Sequence, residues 1–249
     1  MEAKLKYYLQ IADNALILSH RLSEYCSKGP FLEEDLANTN VALDLIGLAE
    51  SMYIEVARQE NEGRTGDDIV YRRKETDFLN VILVEMPNDD FAHIMVRQFF
   101  TDVFHQQFFS ELRKSKDEFL MGIAHKSIKE VLYHLKRSSE WMFRLGKGTV
   151  EAQEKAQVAI NKYWKYTHEF FLENETDSEM LKAGIGVDLS LIKKNWLAKV
   201  EEIFTMSNLT IPTNDFTIEG GKQGYHSENL GYILTEMQFL PSKYPDAIW

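Results

Sequence analysis

A second cysteine is missing from this sequence. Cys26 is the single thiol, so no intramolecular disulfide and no multi-cysteine metal cluster can form, which fits a reducing compartment. Inside a helix, such a lone thiol is read as packing. No apolar run approaches the roughly 20 residues of a membrane span. The amino-terminal MEAKLKYYLQIADNALIL is interrupted by Asp13 and Asn14, so it lacks the continuous apolar segment of a signal peptide. Positive charge is in deficit as well. Lys+Arg 28 against Asp+Glu 39 leaves a net charge of -11, which argues against an extended nucleic-acid surface or an anionic membrane partner. No linker or low-complexity tract separates halves, so residues 1–249 are expected to form one domain with a sizeable core. A soluble, cytoplasmic protein is expected. Catalytic signatures are scarce too: there is no Gly-x-Ser-x-Gly elbow, and the glycines from Gly220 to Gly224 follow no credible strand, so they read as a turn.

What is present is helical periodicity. The stretch 123–145, IAHKSIKEVLYHLKRSSEWMFRL, places Ala124, Ile128, Val131, Leu132, Leu135 and Met142 on one face at about 100° per residue. Lys126, Lys129, Lys136, Arg137 and Glu140 take the other. The first helix is expected over about 3–25, with an inner stripe of Leu5, Leu9, Ala12 and Leu16, closed by Gly29-Pro30. The next follows the acids Glu33, Glu34 and Asp35 and runs to about 60, burying Leu45, Ile46, Ala49, Met52, Tyr53 and Val56. Residues 69–85 read as one shorter helix. The cluster Pro87-Asn-Asp-Asp90 starts another, whose stripe is Ile94, Met95, Gln98, Asp102, Gln106 and Phe109. Thr149 and Asp188 cap two later helices, Asp177 or Ser178 starts a short one between them, and a last helix spans 227–240. Nothing reads as a sheet. An all-α domain with a four-helix core is the expectation.

Bundles of this kind can hold two metals, using about four inward carboxylates and two imidazoles, with Glu-x-x-His on a helix because residues three apart project together. His134 sits at the border of its apolar face, but the residue three before it is Val131, and Glu130 is four before, pointing toward the wetter flank. Asp102 stands at the centre of an apolar stripe, where an acid needs a partner such as His134, His105 or an arginine. Three readings stay open for Asp102: a buried polar network, a single weak metal site, or exposure at a partner interface. His20 and Glu24 read as a surface pair, and His93 and His125 as rim residues. The aromatics, Tyr133 and Trp141 among them, mostly read as core. Phe100, Phe104 and Phe108 give their helix a second apolar face, to be covered by the chain or by a subunit.

Five stretches carry a resemblance: IADNALILSHRLSEYC, LEEDLANTNVALDLIG, PNDDFAHIMVRQFFTDVFHQQFF, KSIKEVLYHLKRSSEWMFRLGKGT, and GKQGYHSENLGYILTEMQFL with the closing Pro-Asp-Ala-Ile-Trp. Together they resemble the C-type, non-catalytic subunits of bacterial phenylacetyl-CoA epoxidase, a multicomponent di-iron monooxygenase of phenylacetate breakdown. The resemblance spans nearly the whole chain. It implies a ferritin-like four-helix bundle with additional C-terminal helices, scaffolding a homologous catalytic subunit that holds the di-iron site and the acyl-CoA. It also implies that positions 18, 45, 48 and 131, where the catalytic subunit has ligands, are here Leu18, Leu45, Leu48 and Val131, leaving Asp102 and His134 as remnants with Glu130 nearby. No catalytic residue, metal or cofactor is then expected on this chain. A homodimer is an option when the chain is alone. The rival expectations are an independent non-haem iron oxidase using Asp102, Glu130 and His134, and an all-α binding module.

Overall fold

A computed structural model describes residues 2–213, 216–245 and 247. Among them there is no strand, and no helix is long and apolar enough to cross a membrane. The all-α expectation holds. The chain divides into two compact units, one of Met1–Pro87 with Glu219–Trp249 and one of Asn88–Ile218.

In the first unit, α1 (Glu2–Ser23) packs along α2 (Leu32–Glu60), followed by the short α3 (Gly66–Tyr71). Helix α2 ends at Asn61, whose left-handed backbone returns its N–H to the Ala57 carbonyl. Helix α3 starts in a reciprocal cap, Thr65 accepting from the Asp68 N–H while the Asp68 carboxylate accepts from the Thr65 N–H. The single helix expected over 69–85 does not form. Only α3 and two 3-10 turns, Glu75–Asp77 and Ile82–Glu85, are helical there. Between them the backbone turns its donors outward, the Leu79 N–H to Asp13 (2.8 Å) and the Val81 N–H to Asn14 (2.9 Å). Donors spent on side chains of α1 are lost to an i→i−4 ladder. The C-terminal segment adds α9 (Glu228–Met237) and α10 (Phe239–Lys243), so the expected helix 227–240 is broken at Gln238.

The second unit holds α4 (Phe91–Leu112), α5 (Glu118–Gly146), α6 (Val150–Thr167), α7 (Glu175–Ala183) and α8 (Leu189–Met206). Asp90, Asp117, Thr149 and Asp188 each cap the helix that follows through a side-chain oxygen. At α7 the expected start is late: Asn174 is the cap, and Asp177 closes the reciprocal box from inside the helix. Helix α4 is the centre of this unit, since Phe99, Phe100, Asp102 and Val103 are all fully buried. Its second apolar face is covered by the chain itself. Trp196 of α8 donates its indole N–H to the Phe100 carbonyl (2.9 Å), and Phe104 stacks on Phe170 at 4.6 Å.

Several face assignments shift. Leu5 and Leu9 are half-buried, whereas Asp13 and Arg21 lie inside. Ile46, Leu132 and Tyr133 are exposed, and Arg137 is buried; Ile46, Leu132 and Arg137 stand at the edge of their stripes, where neighbours and not periodicity decide, and Tyr133 lies on the far side of α5. Cys26 is exposed in the turn after α1. Glu24 binds Arg21 (2.8 Å), and its charge also acts on His20. His93 is buried, with Asp90 2.7 Å from Nδ1 and the Tyr163 ring edge-on to it; His125 is exposed as expected.

Candidate functional site

The chemistry-bearing interior of the second unit is built on α4 and α5. Asp102 is fully buried. Its Oδ1 accepts from the Gln98 amide one turn earlier (2.6 Å), and its Oδ2 accepts from the Ser138 hydroxyl of α5 (2.7 Å). Both donors are neutral. Burial pushes the Asp102 carboxyl up to about 6, and the charge of His134, the bonds from Ser138 and Gln98, and the charge of Arg137 pull against it. His134 is buried one turn before Ser138. His105, one turn along α4, is pushed down to about 3 by burial and by the charge of His134, so it is a neutral ring at ordinary pH.

Asp102, Gln98 and Ser138 thus form a buried hydrogen-bonded cluster across α4 and α5, on which the charges of His134 and Arg137 also act. Ser138 was invisible in the sequence, since a serine near a helix flank carries no distinguishing pattern. Glu130 is half-buried on α5. Among the described residues no three His, Cys, Asp or Glu side chains are gathered as a metal would require. Leu18, Leu45 and Leu48 are buried in the first unit and Val131 in the second, and none offers a donor atom. This donor set does not fit a di-iron centre.

The first unit contains two further buried acids that sequence reasoning passed over. Asp13 on α1 is chelated by Arg73, whose Nη1 lies 3.1 Å from Oδ2 while Nη2 holds Oδ1; the Tyr53 hydroxyl and the Leu79 N–H complete its shell. Burial opposes the Arg73 charge, and Asp13 and Tyr53 more than offset it, so its proton is held more tightly than usual. Burial, helped by the Asp13 charge, raises the Tyr53 hydroxyl well above its usual range. The guanidinium also lies 4.0 Å over the Phe78 ring.

Glu85 is the second. Its carboxylate accepts from His226 Nδ1 (2.6 Å), from the Ser227 N–H (2.9 Å) and hydroxyl (2.6 Å), and from Asn80 (3.0 Å). The other ring nitrogen of His226 faces the Phe78 carbonyl at 2.8 Å. Both ring nitrogens face oxygen atoms, an arrangement that favours the doubly protonated imidazolium. Burial lowers its proton affinity, but the hydrogen bond and charge of Glu85, with the Phe78 carbonyl, raise it overall. The glycine turn is what lets this segment approach: a Cβ on Gly221 would lie 2.2 Å from the Asn80 carbonyl oxygen. The turn reading of Gly220 to Gly224 holds, with a 3-10 turn over Gly221–Gln223.

Comparison with known proteins adds a second line. The profile of the phenylacetic acid catabolic protein family matches residues 1–249. The chain is also similar to the C-type subunit of 1,2-phenylacetyl-CoA epoxidase from Escherichia coli (strain K12), with 41% identity over 243 residues, 98% of each chain.

Proposed function

This chain belongs to the phenylacetic acid catabolic protein family, and from that premise we propose that it is the structural subunit of a phenylacetyl-CoA epoxidase in aerobic phenylacetate catabolism. In this reading its fold is a ferritin-like four-helix bundle with additional C-terminal helices. It assembles with a homologous catalytic subunit, which carries the di-iron site and the acyl-CoA, and it works in the cytoplasm. Its own interior supplies stiffness and a docking surface.

The observation that carries the reading is the shell of Asp102. A carboxylate kept as an iron ligand turns an oxygen toward the metal, whereas Asp102 spends both oxygens on an amide and a hydroxyl of its own unit. The buried leucines at 18, 45 and 48 point the same way. The 41% identity to a protein named as a subunit supports membership of an assembly.

The test is metal content by elemental mass spectrometry of the purified chain after iron supplementation, beside an Asp102→Ala/His134→Ala double variant, and co-purification with the catalytic subunit of the same host. The expected result is background iron in both chains and a stable complex. One or two iron atoms per chain, lost in the double variant, would overturn the reading in favour of an independent iron oxidase.

A further inference from the structure

Helix α2 presents a second apolar face that its own unit leaves uncovered. Leu32, Leu36, Leu43, Ile46 and Ile54 fall within one stripe at 100° per residue, and all five are exposed, Leu32 by 71% and Leu43 by 60%. The stripe is about 33 Å long at 1.5 Å per residue. Scattered apolar residues on a surface need no explanation, but five on one helical stripe, broken by Thr39 and Glu50, do. The exposed apolar residues of α5, Met121, Leu132, Tyr133 and Phe143, lie among the basic side chains Lys126, Lys129 and Lys136 instead of acids.

Three observations say what covers the stripe. Gly47 lies beside Ile46 on this face, in the middle of a 29-residue helix, and a Cβ built there meets nothing within 4 Å. Glycine in a helix interior weakens the helix relative to alanine, and here the chain itself gains nothing in return. A neighbouring helix crossing closely at that point does gain. Charge is the second observation. Glu33, Asp35, Asp44 and Glu50 flank or interrupt the stripe, and Arg58 is the single basic residue of α2. Two such faces from two copies would set acid against acid. Third, a groove of about 460 Å³ opens beside Ile46 and Ile54, with Ala49 and Val70 in its lining and Glu50 and Asp67 among its polar groups. An apolar lining with acidic groups suits a long side chain with an aliphatic stem and a cationic head.

We propose that the exposed face of α2 is the docking surface for a different chain, which presents an apolar helix face flanked by Lys and Arg, crosses α2 at Gly47 and seats one basic side chain in the groove between α2 and α3. This rests on the assembly reading above, with the catalytic subunit as the occupant.

The experiment measures the affinity of the full chain for the catalytic subunit by surface plasmon resonance, for wild type, Gly47→Leu, Leu43→Glu, Glu50→Lys and the α5 control Leu132→Glu, with helical circular dichroism and melting of each chain alone. Gly47→Leu and Leu43→Glu are expected to weaken binding at least tenfold with unchanged folding. Glu50→Lys lowers the association rate several-fold and flattens its salt dependence, and Leu132→Glu binds as wild type. Wild-type binding with all three α2 variants unaffected overturns this face and leaves the assembly reading intact. No binding by wild type overturns the assembly reading and this inference with it. Self-association of the chain, lost in Leu43→Glu, makes the occupant a second copy and overturns the charge argument.

Discussion

Asp13 on α1 and Asp102 on α4 are both fully buried, each inside a 22-residue helix, yet Asp13 meets a guanidinium and Asp102 meets only an amide and a hydroxyl. The same residue type is therefore held by a cation in one unit and by neutral donors in the other. A carboxylate bound by arginine is bonded through its charge, so the pair stands or falls together. A carboxyl bound by neutral donors depends on the arrangement of those donors, and the charge is a burden that burial penalises. In the first unit the charged shell also organises the backbone: Arg73 donates to the Ile69 carbonyl at 2.8 Å, and Asp13 captures the Leu79 N–H at 2.8 Å.

The strongest way to break the comparison is to remove one partner in each unit. Arg73→Met leaves Asp13 buried without its counter-charge, a defect of about 3–5 kcal/mol. Ser138→Ala removes one neutral bond from Asp102 and costs about 1–2 kcal/mol. Urea unfolding at pH 7.5 measures both. Equal losses would mean that the two acids are held alike.

The pH dependence of Asp102 is the next largest effect. In the unfolded chain its carboxyl titrates near 3.8, in the folded chain at about 6, so between those values the native state holds a proton that the unfolded state has released. Stability from this group is complete below pH 3.8 and is lost as pH rises through 6, by up to about 3 kcal/mol. Asp102→Asn keeps an acceptor for Gln98, and its amide can donate to the Ser138 hydroxyl, which turns to accept. Unfolding curves at steps from pH 4.5 to 7.5 are expected to show the variant gaining on wild type as pH rises, then a constant gap above pH 6.5. Parallel profiles would place Asp102 as an ordinary ionised acid.

These pairings also explain what could be read in the sequence and what could not. Asp102 was legible because one acid in a stripe of Ile94, Met95 and Phe109 violates its pattern, and the caps Asp90, Thr149 and Asp188 were legible because capping is local. The segment 69–85 was not, because its backbone is set by Asp13 and Asn14, 66 and 67 positions earlier in the chain. Asp13 itself carried a signal that was read for another purpose: an acid amid Ile11, Ala12, Ala15 and Leu16 interrupts an apolar segment whether it faces water or an arginine. The ion pair of Glu85 and His226 spans 141 positions, and neither residue breaks a helical stripe, so nothing local marked it.

Glu85 sharpens the comparison, because it is a third buried acid and, like Asp13, it is held by a cation. His226 binds protons more tightly in the folded chain than in the unfolded one, where its value is near 6.5. Its contribution is therefore complete below about pH 6.5 and fades as pH rises through the higher folded value. His226→Asn retains one donor for Glu85 but loses the charge and the bond to the Phe78 carbonyl. The expected cost is about 2 kcal/mol at pH 6, narrowing with rising pH as the wild-type ring loses its proton and is left with a bare nitrogen facing an oxygen. Urea unfolding in steps from pH 6 upward decides it. A gap that stays constant would mean a neutral ring in a neutral latch, and the division between acids held by cations in one unit and an acid held by neutral donors in the other would then rest on Asp13 alone.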